Sequence, residues 1–387
     1  MLRRGILNPP ERISVLEIVY SFAVAGPGGG AARFGLELGR LLDRSRFEVT
    51  VCGLWGLGTP SERDRIEQLR EAGINAWSAT SWDSARPYTS FWKAVRAMRI
   101  RLSQQTVQIL HSHSEFGDMA ALLLKAGSGR SLLIRTVHNG YRREWRKRPL
   151  RRLLLTNALY PLVFSAEVGV NPSIVRNLDR RWLARLLRRD ALYLPNAIDL
   201  GRFTNVETDA AQVKAALHLP PDAVVVGSVG RLAEGKGYRS LLASAATVLE
   251  ALPKAYFVLV GTGELIDTLK EETRRLGISD HIMFTGSRED VEKILTCFDL
   301  FVSATHWEGL STVILEAMAS CVPVLATDIP GNQEILEDGK SGWLVPPGNP
   351  GAMAETILWA LRRPSLRRRY ARQARDAVEA FSIETVS

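Results

Sequence analysis

The chain of 387 residues exceeds what one hydrophobic core usually supports, so its length predicts two domains. Hydrophobic residues make up 46% and charged residues 24% of the sequence, which excludes wholesale disorder. The formal charge of +9 favours an anionic partner such as a nucleotide, a membrane surface or a nucleic acid. Cys52, Cys297 and Cys321 form no CxxC pair, and their number is odd. They therefore argue against a disulfide framework or a zinc site, and they predict a reducing, cytoplasmic compartment.

The first half of the chain alternates between strand and helix periodicity. Strands are predicted at residues 15–22, 47–54, 74–76, 107–111, 132–136 and 163–170. Helices are predicted at residues 31–42, 63–72, 91–103, 117–126 and 180–189. This alternation predicts a parallel sheet covered by helices on both faces. The apolar run 13–25 also resembles a signal peptide, but Glu17 interrupts it and a glycine turn follows, which favours a buried first strand.

The alternation restarts after residues 201–221, which lack clear periodicity and are interpreted as a linker. Further strands are predicted at residues 224–229, 256–260, 282–285, 300–303 and 322–326. Further helices are predicted at residues 238–252, 264–276, 290–297 and 312–320, and from residue 350 onward. We therefore expect Rossmann-like domains at 1–200 and 222–365 and a C-terminal helical segment at 366–387. Two such halves predict a ligand cleft at the carboxyl ends of both sheets.

The strongest motif, EGLSTVILEAM at residues 308–318, follows a predicted strand and opens a predicted helix. Its candidate donor-binding residues are Gly309, Leu310, Ser311, Thr312 and Glu316. Gly309 lets the backbone approach a ligand, and the free N–H groups of the helix start suit a diphosphate. The Glu316 carboxylate can accept two hydrogen bonds from a ribose diol, while Glu308 would sit nearer the sugar. The alternative is a helix whose acidic first turn is favoured by the helix dipole alone.

A second loop, GRLAEGKG at residues 230–237, directly follows the predicted strand 224–229. Arg231 can grip a phosphate with two N–H groups, and Lys236 can add a point charge. Both cations would neutralise a leaving diphosphate as charge develops on it, and Gly230 is counted with the donor-binding residues. The alternative is a solvated basic turn.

Glycine and histidine residues mark further strand ends in the first half. Gly29 and Gly30 stand at a predicted helix start, where a turn near a phosphate and a plain tight turn are both open. His111 and His113 alternate on a strand end and could share one face, and His138 follows another strand. The sequence contains no HExxH helix and no DxD pair placed like a diphosphate clamp, so we expect no metal site.

Together these motifs resemble the family 4 retaining glycosyltransferases of the GT-B fold. Glu308 and Glu316, with seven residues between them, match that family's glutamate pair, and the loop from Arg231 to Lys236 matches its phosphate-binding cations. Other segments that fit the family are GGAAR at 29–33, with Ala32 where Glu is frequent, LPNAID at 194–199 followed by Phe203, CVPVLAT at 321–327, GNQEI at 331–335 and GKSGWLV at 339–345. Asn171 stands where members often have Ser, so no role is carried over to it.

The resemblance implies an α/β protein whose two Rossmann-like domains face a deep interdomain cleft. It also implies transfer from a nucleotide-diphosphate sugar to a hydroxyl acceptor with retention at the anomeric carbon, in bacterial polysaccharide, glycolipid or cell-envelope glycan synthesis. The expected catalytic residues are Glu308, Arg231, Lys236 and His113, which matches the histidine near the donor sugar. No metal and no cofactor are expected, and residues 366–387 are expected to pack back toward the first domain.

Two other functions stay open: a phosphorylase or sugar-phosphate synthase of the same fold, and a non-catalytic basic nucleic-acid-binding protein. The acidic pair at the predicted cleft disfavours the second, so no nucleic acid is expected as a partner. Residues 142–155 carry seven Arg and Lys residues together with Trp145, which is typical of an interfacial membrane helix and equally of a solvated basic helix. The membrane interpretation predicts a lipid-linked acceptor and a peripheral position on the inner face of the plasma membrane.

Overall fold

The structure is a computed structural model that describes residues 12–23, 29–128, 131–138 and 154–386. By its internal contacts the chain divides into two compact units. Of the described residues, those up to Gly169 and Val175–Leu192 belong to the first unit, and Val170–Ile174 and Tyr193–Val386 belong to the second. Each unit contains a sheet with helices on both faces, which confirms the predicted α/β class.

The first sheet has seven strands in the order β3-β2-β1-β4-β5-β6-β7. Its strands are β1 Ile13–Val19, β2 Phe47–Gly56, β3 Asn75–Ser81, β4 Ile109–Ser112, β5 Leu132–Val137, β6 Ala166–Gly169 and β7 Leu192–Tyr193. The pairings from β3 to β6 are parallel. Glu17 on β1 stands in register with His111 on β4, so both side chains lie on the same face of the sheet.

Helices cover both faces of this sheet. They are α1 Gly29–Leu41, α2 Pro60–Glu71, α3 Pro87–Leu102, α4 Glu115–Ser128, a π-helix at Leu155–Leu159, α5 Tyr160–Val163, α6 Pro172–Asp179 and α7 Trp182–Leu186. Alternation along β1 explains the two layers: Leu16 and Ile18 pack with α3 and α4, whereas Val19 packs with α1 and α2. Glu17 shares the α1 side with Val19.

The second sheet has six parallel strands in the order β10-β9-β8-β11-β12-β13. Its strands are β8 Val224–Val229, β9 Ala255–Val260, β10 Ile282–Gly286, β11 Leu300–Ser303, β12 Val324–Thr327 and β13 Trp343–Val345. The remaining helices are α8 Leu200–Thr204, α9 Ala210–Ala216, α10 Tyr238–Ala251, α11 Ile266–Arg275, α12 Val291–Leu295, α13 Thr312–Ala319, α14 Pro330–Gln333, α15 Pro350–Leu361, α16 Pro364–Val378 and α17 Ile383–Val386, with 3-10 turns at Ser279–His281 and Glu379–Phe381. The core on one face is formed chiefly by α10, α11 and α15.

Some predicted elements are wrong. The predicted strand 163–170 begins only at Ala166, because Tyr160–Val163 is helical, and the predicted helix 180–189 is reduced to Trp182–Leu186. The segment 201–221, expected to be a linker, contains α8 and α9 and lies in the second unit. Leu200 and Phe203 of α8 are buried, which explains why this segment is ordered without a long apolar period. Residues 366–386 also lie in the second unit, where α16 packs on α13 and α15.

Candidate active site

The candidate site lies where the chain order of the second sheet reverses. β8 continues to β9 on one side of the sheet, and its neighbour β11 continues to β12 on the other side. The loops that follow two such strands leave a crevice in which α/β proteins bind ligands. Here these loops are residues 230–237 and 304–311, and they contain the two motifs with the predicted donor-site residues.

Hydrogen bonds to a backbone carbonyl and close packing join the two loops. The carbonyl oxygen of Gly235 accepts hydrogen bonds from Thr305 Oγ1 at 3.0 Å and from the His306 N–H at 2.7 Å. Gly235 has φ +90°, and a Cβ at this position would lie 1.9 Å from the Trp307 ring. Glycine therefore lets the Trp307 indole, which is 40% exposed, lie directly against the cationic loop.

The structure brings two of the predicted catalytic residues together. Lys236 Nζ and Glu308 Oε2 form an ion pair between partly exposed side chains. Arg231 lies 3.8 Å from Glu264 instead, and both of these side chains are exposed. Because an exposed ion pair contributes little energy, Arg231 can turn toward an anionic ligand at small cost.

Two buried asparagines and a glycine fix the backbone that precedes α13. Asn171 Nδ2 donates to the carbonyl oxygen of Gly309, and Asn196 Nδ2 donates to that of Leu310 at 2.8 Å. Gly331 packs so closely that a Cβ there would lie 2.3 Å from Gly309 O. The position of the glycine-bearing loop is thus set from three separate segments of the chain.

Helix α13 begins at this loop with an open N-terminus. Ser311 is the N-cap residue in extended conformation, and its side chain makes no capping hydrogen bond. The N–H groups of the first turn are therefore available to an anion, which the helix dipole also favours. Glu316 follows one turn later with a side chain that is only 2% exposed.

The first unit carries its predicted site residues at the equivalent place in its own sheet. β1 and β4 are neighbours there, and the chain continues from them in opposite directions across the sheet. Gly29, with φ +46°, and Gly30 begin α1 after β1, and His113 follows β4. His138 comes directly after β5, and its ring centroid is 5.8 Å from that of His113.

A buried carboxylate organises two of these histidines. Glu17 Oε2 lies 2.7 Å from His113 Nε2 and 3.1 Å from His111 Nδ1. His111 Nε2 lies 2.9 Å from Thr136 Oγ1, so both nitrogens of that ring have partners. The prediction that His111 and His113 share one face is confirmed, because both contact the same carboxylate.

Comparisons with known proteins match nearly the whole chain. The model of Glycosyltransferase Family 4 matches residues 28–202, and that of Glycosyl transferases group 1 matches residues 209–377. The phosphatidyl-myo-inositol mannosyltransferase of Mycolicibacterium smegmatis is 31% identical over 375 residues, which cover 95% of this chain and 89% of that protein. The chain belongs to the family 4 glycosyltransferases.

Two further comparisons bear on the fold and on the extent of the similarity. This glycosyltransferase is similar to HepE of Anabaena, solved with UDP and glucose, with a TM-score of 0.78 and 19% identity over 97% of each chain. The GT-B fold predicted from the motifs is thereby confirmed. The lipopolysaccharide core biosynthesis glycosyltransferase LpsE of Rhizobium meliloti is 34% identical over 189 residues, and the chain spans about half of that relative, 54% of its length.

The predicted enzyme class, a hexosyltransferase-type glycosyltransferase, is confirmed as well, since the relative aligned over 95% of the chain is a mannosyltransferase. Within the described ranges no helix combines the length and the apolar character needed to cross a bilayer. Residues 139–153 are outside the described residues, and they contain most of the basic segment 142–155. The predicted membrane helix therefore lies outside the described residues.

The electrostatics of the glycosyltransferase's histidine cluster follow from its burial. Burial alone raises the pKa of Glu17, but the charge and hydrogen bonds of His111 and His113 outweigh it and bring this pKa down to about 2. Burial lowers the pKa of His113 to about 4, against the opposing effect of Glu17. Burial also holds the pKa of His138 well below its usual value. Glu17 is therefore ionised and the rings of His113 and His138 are neutral near pH 7.

The same cluster is the group among the described residues whose geometry could hold a metal ion. Ligand atoms of Glu17, His111 and His113 lie within 4.8 Å of one another. Short N–H···O contacts already join these atoms, so a divalent ion would have to displace the protons that they share.

Three residues that the sequence analysis left without a role contact predicted site residues of their own unit. Asn171 and Asn196 bind the loop carbonyls, and Glu17 binds His113. Asn196 belongs to the LPNAID segment, so its motif was visible although its contact was not. Glu17 gave a signal too, since a carboxylate inside an apolar strand requires a buried partner.

Proposed function

We propose that this glycosyltransferase moves a sugar from a nucleotide-diphosphate sugar to a hydroxyl acceptor with retention of anomeric configuration. One observation carries the proposal: the cationic loop with Lys236, the paired Glu308 and the open N-terminus of α13 meet at the crevice of the second sheet. Positive charge, a carboxylate and unsatisfied N–H groups are the groups that a diphosphate and its sugar require.

The roles follow from how charge changes during the reaction. Arg231, Lys236 and the first turn of α13 would stabilise the diphosphate as it leaves and gains negative charge. Glu316 would accept the hydrogen bonds of the ribose hydroxyls, and Glu308 would contact the sugar. The acceptor hydroxyl would attack from the face that the diphosphate leaves, because no carboxylate among the described residues is identified as a covalent nucleophile.

Binding of the donor would break the Lys236–Glu308 ion pair. An arriving diphosphate would compete with the carboxylate for Lys236 and would release Glu308 toward the sugar. In this way binding of the leaving group and exposure of Glu308 are coupled. The cations take the place that a metal clamp occupies in other transferases, so we propose that the reaction needs no metal.

A donor screen followed by product analysis tests this proposal. Thermal shifts with UDP-, GDP- and ADP-sugars should single out one nucleotide, and NMR of the product should show the anomeric configuration of the donor. Activity should persist in EDTA. An inverted product, or complete loss in EDTA that a divalent ion restores, would contradict the mechanism. Formation of sugar phosphate from a glycan and inorganic phosphate would identify the phosphorylase alternative.

For the acceptor we propose a lipid-linked or lipopolysaccharide substrate in bacterial envelope glycan synthesis. The relatives' names support this choice, since they include a phosphatidyl-myo-inositol mannosyltransferase and a lipopolysaccharide core glycosyltransferase. The cationic segment 142–155 supports a peripheral position on an anionic membrane at the cytoplasmic face, at about 1 kcal/mol for each Lys or Arg near the surface.

Liposome sedimentation tests the membrane part separately. The protein should pellet with anionic liposomes at low salt and should be released at high salt. Replacement of Arg142, Arg143, Arg146 and Lys147 by Gln should abolish pelleting. If the unmodified protein stays in the supernatant with anionic liposomes at low salt, a soluble acceptor replaces the membrane-bound one.

A further inference from the structure

A carboxylate buried in the first sheet fixes the protonation pattern of His113. Glu17 is 1% exposed, and its Oε2 atom lies 2.7 Å from His113 Nε2. An ionised carboxylate can only accept hydrogen bonds, so the Nε2 atom of His113 must carry the proton. Because this ring is neutral near pH 7, its other nitrogen, Nδ1, presents a lone pair.

The Nδ1 atom of His113 has an unmet requirement. It is buried, and among the described residues it has no hydrogen-bond partner. A lone pair in this position calls for a donor group, since a buried polar atom without a hydrogen-bond partner is unfavourable. Both ring nitrogens of the neighbouring His138 are likewise buried and unpartnered within the described part of the chain.

Packing against α1 holds the His113 ring in place. A Cβ on Gly35 would lie 2.7 Å from His113 Cδ2 and 2.9 Å from its Nε2, so glycine makes room for the ring. The ring also meets Phe34 edge-on, with centroids 5.8 Å apart. The cluster sits at the carboxyl edge of the first sheet, beside the β1/β4 pair at which the chain order reverses.

We propose that Glu17 is a positioning residue that holds His113 in the Nε2–H form so that its Nδ1 atom accepts a hydrogen bond from a hydroxyl of a bound sugar. This inference rests on the proposed function, since it takes the ligand of His113 to be a sugar. A hydroxyl fits because it can donate a hydrogen bond to His113 Nδ1 and accept one at its oxygen. The neutral ring of His138 carries an N–H group that can donate such a bond. Carboxylates orient metal-binding histidines in the same way, by accepting a hydrogen bond from the ring nitrogen that does not contact the metal.

Selective ¹⁵N-histidine NMR of the full-length protein provides the direct test, since the chain has six histidines. The wild type should show His113 as the Nε2–H tautomer near pH 7. Glu17→Gln should keep this tautomer, because the amide oxygen can still accept from Nε2–H. Glu17→Ala should abolish the preference. Purified protein should contain no stoichiometric metal by elemental analysis.

Kinetics with the nucleotide sugar found in the donor screen complete the test. Glu17→Ala should lower kcat/KM by about 10–100-fold, and Glu17→Gln should restore most of it. Gly35→Ala, which leaves Glu17 in place but pushes on the His113 ring, should also lower kcat/KM. Glu62→Ala is the matched control: Glu62 is a buried carboxylate of the same unit that accepts from the Leu57 and Gly58 N–H groups, and its loss should lower thermal stability without lowering kcat/KM.

Several results would overturn the inference. These are an Nδ1–H tautomer of His113 in the wild type, an unchanged kcat/KM in folded Glu17→Ala, or one bound equivalent of zinc that makes the histidines metal ligands. If the wild type turns over no nucleotide sugar, the proposed function fails. The NMR result still decides whether Glu17 sets the tautomer, so the two failures are distinguishable.

Discussion

Glu316 is a buried carboxylate with a predicted role in binding the ribose of the donor. Glu316 is 2% exposed in α13, and its proposed hydrogen bonds to the ribose form already in the ground state, so it should contribute to donor affinity itself. Glu316→Ala should therefore weaken binding of the nucleotide diphosphate by about 2–3 kcal/mol in calorimetric titration. Glu316→Gln, which preserves the side-chain volume, separates loss of charge from loss of packing.

The exposed Glu355→Ala on α15 serves as the control and should bind the nucleotide normally. An unchanged affinity in a folded Glu316→Ala variant would remove this residue from the donor site.

The two cations of the loop should behave differently from Glu316. Charge on the diphosphate grows as its bond to the anomeric carbon breaks, so Arg231→Ala and Lys236→Ala should lower kcat more than they weaken donor binding. We expect a loss of kcat on the order of a hundredfold for each variant in steady-state assays at saturating donor. In Lys236→Ala the Glu308 carboxylate also loses its ion-pair partner.

Lys254→Ala is a matched control, because Lys254 is also ion-paired, with Asp222, but lies on the exposed surface outside the site. Near-normal kcat in either loop variant at full donor occupancy would rule out its leaving-group role.

At the scale of elements, the site depends on how closely the cationic loop approaches β11. Gly237 has φ +72°, and a Cβ there would lie 1.9 Å from Ala304 O. Gly277 has nearly the same backbone, φ +69°, but a Cβ there would meet nothing within 4 Å. Gly277→Ala should therefore show only the left-handed backbone strain, about 1–2 kcal/mol. Gly237→Ala should lower the free energy of unfolding clearly more in chemical denaturation and should also weaken donor binding. If the two variants lose the same free energy of unfolding, the close approach of the loop to Ala304 is unimportant.

Periodicity was sufficient for the long elements and insufficient for the short ones. The strands at Val224–Val229 and Leu300–Ser303 were predicted with these bounds, because buried parallel strands are continuous apolar runs. The helix Pro172–Asp179 and the strand Trp343–Val345 were not predicted as elements. Segments of eight and three residues are too short to show a clear hydrophobic periodicity, and packing on neighbouring elements decides their conformation.

The candidate site shows the same division between local and long-range information. Glu308, Lys236 and the helix start were predicted because each lies in a contiguous motif next to a strand end. The contacts of Asn171 and Asn196 with the loop carbonyls span more than a hundred positions of sequence, and no local pattern reveals them. The direct Lys236–Glu308 pair was likewise invisible, since it depends on the strand order of the sheet rather than on either motif.

At the scale of the whole molecule, one topological rule accounts for both sets of predicted residues. In each sheet they follow the two adjacent strands from which the chain continues in opposite directions, β1 and β4 in the first and β8 and β11 in the second. The chemistry differs between the units. The second unit offers cations and open N–H groups, whereas the first offers a buried cluster of histidines around one ionised carboxylate.

That histidine cluster should make the fold sensitive to acid. The pKa of His113 is lowered by burial to about 4, so the unfolded chain binds the proton more readily than the folded one. The contribution of His113 to the free energy of unfolding should therefore be fully present above about pH 6.5. It should be lost as the pH drops toward 4, which lowers the free energy of unfolding by up to about 3 kcal/mol from this group alone. His138, whose pKa burial also lowers, acts in the same direction. Glu17, with its pKa lowered to about 2, adds a further loss below about pH 4.5.

Urea denaturation followed by circular dichroism between pH 7 and pH 4 measures this dependence. His113→Gln and His138→Gln should flatten the pH profile, because each removes a proton-binding site that only the unfolded chain can fill. His218→Asn is the matched control: His218 is exposed and has φ +53°, a conformation that asparagine tolerates, so the pH profile should stay as in the wild type. A profile that is flat between pH 7 and pH 4 in the unmodified protein would mean that the buried histidines are protonated in the folded state, and the neutral cluster would have to be abandoned.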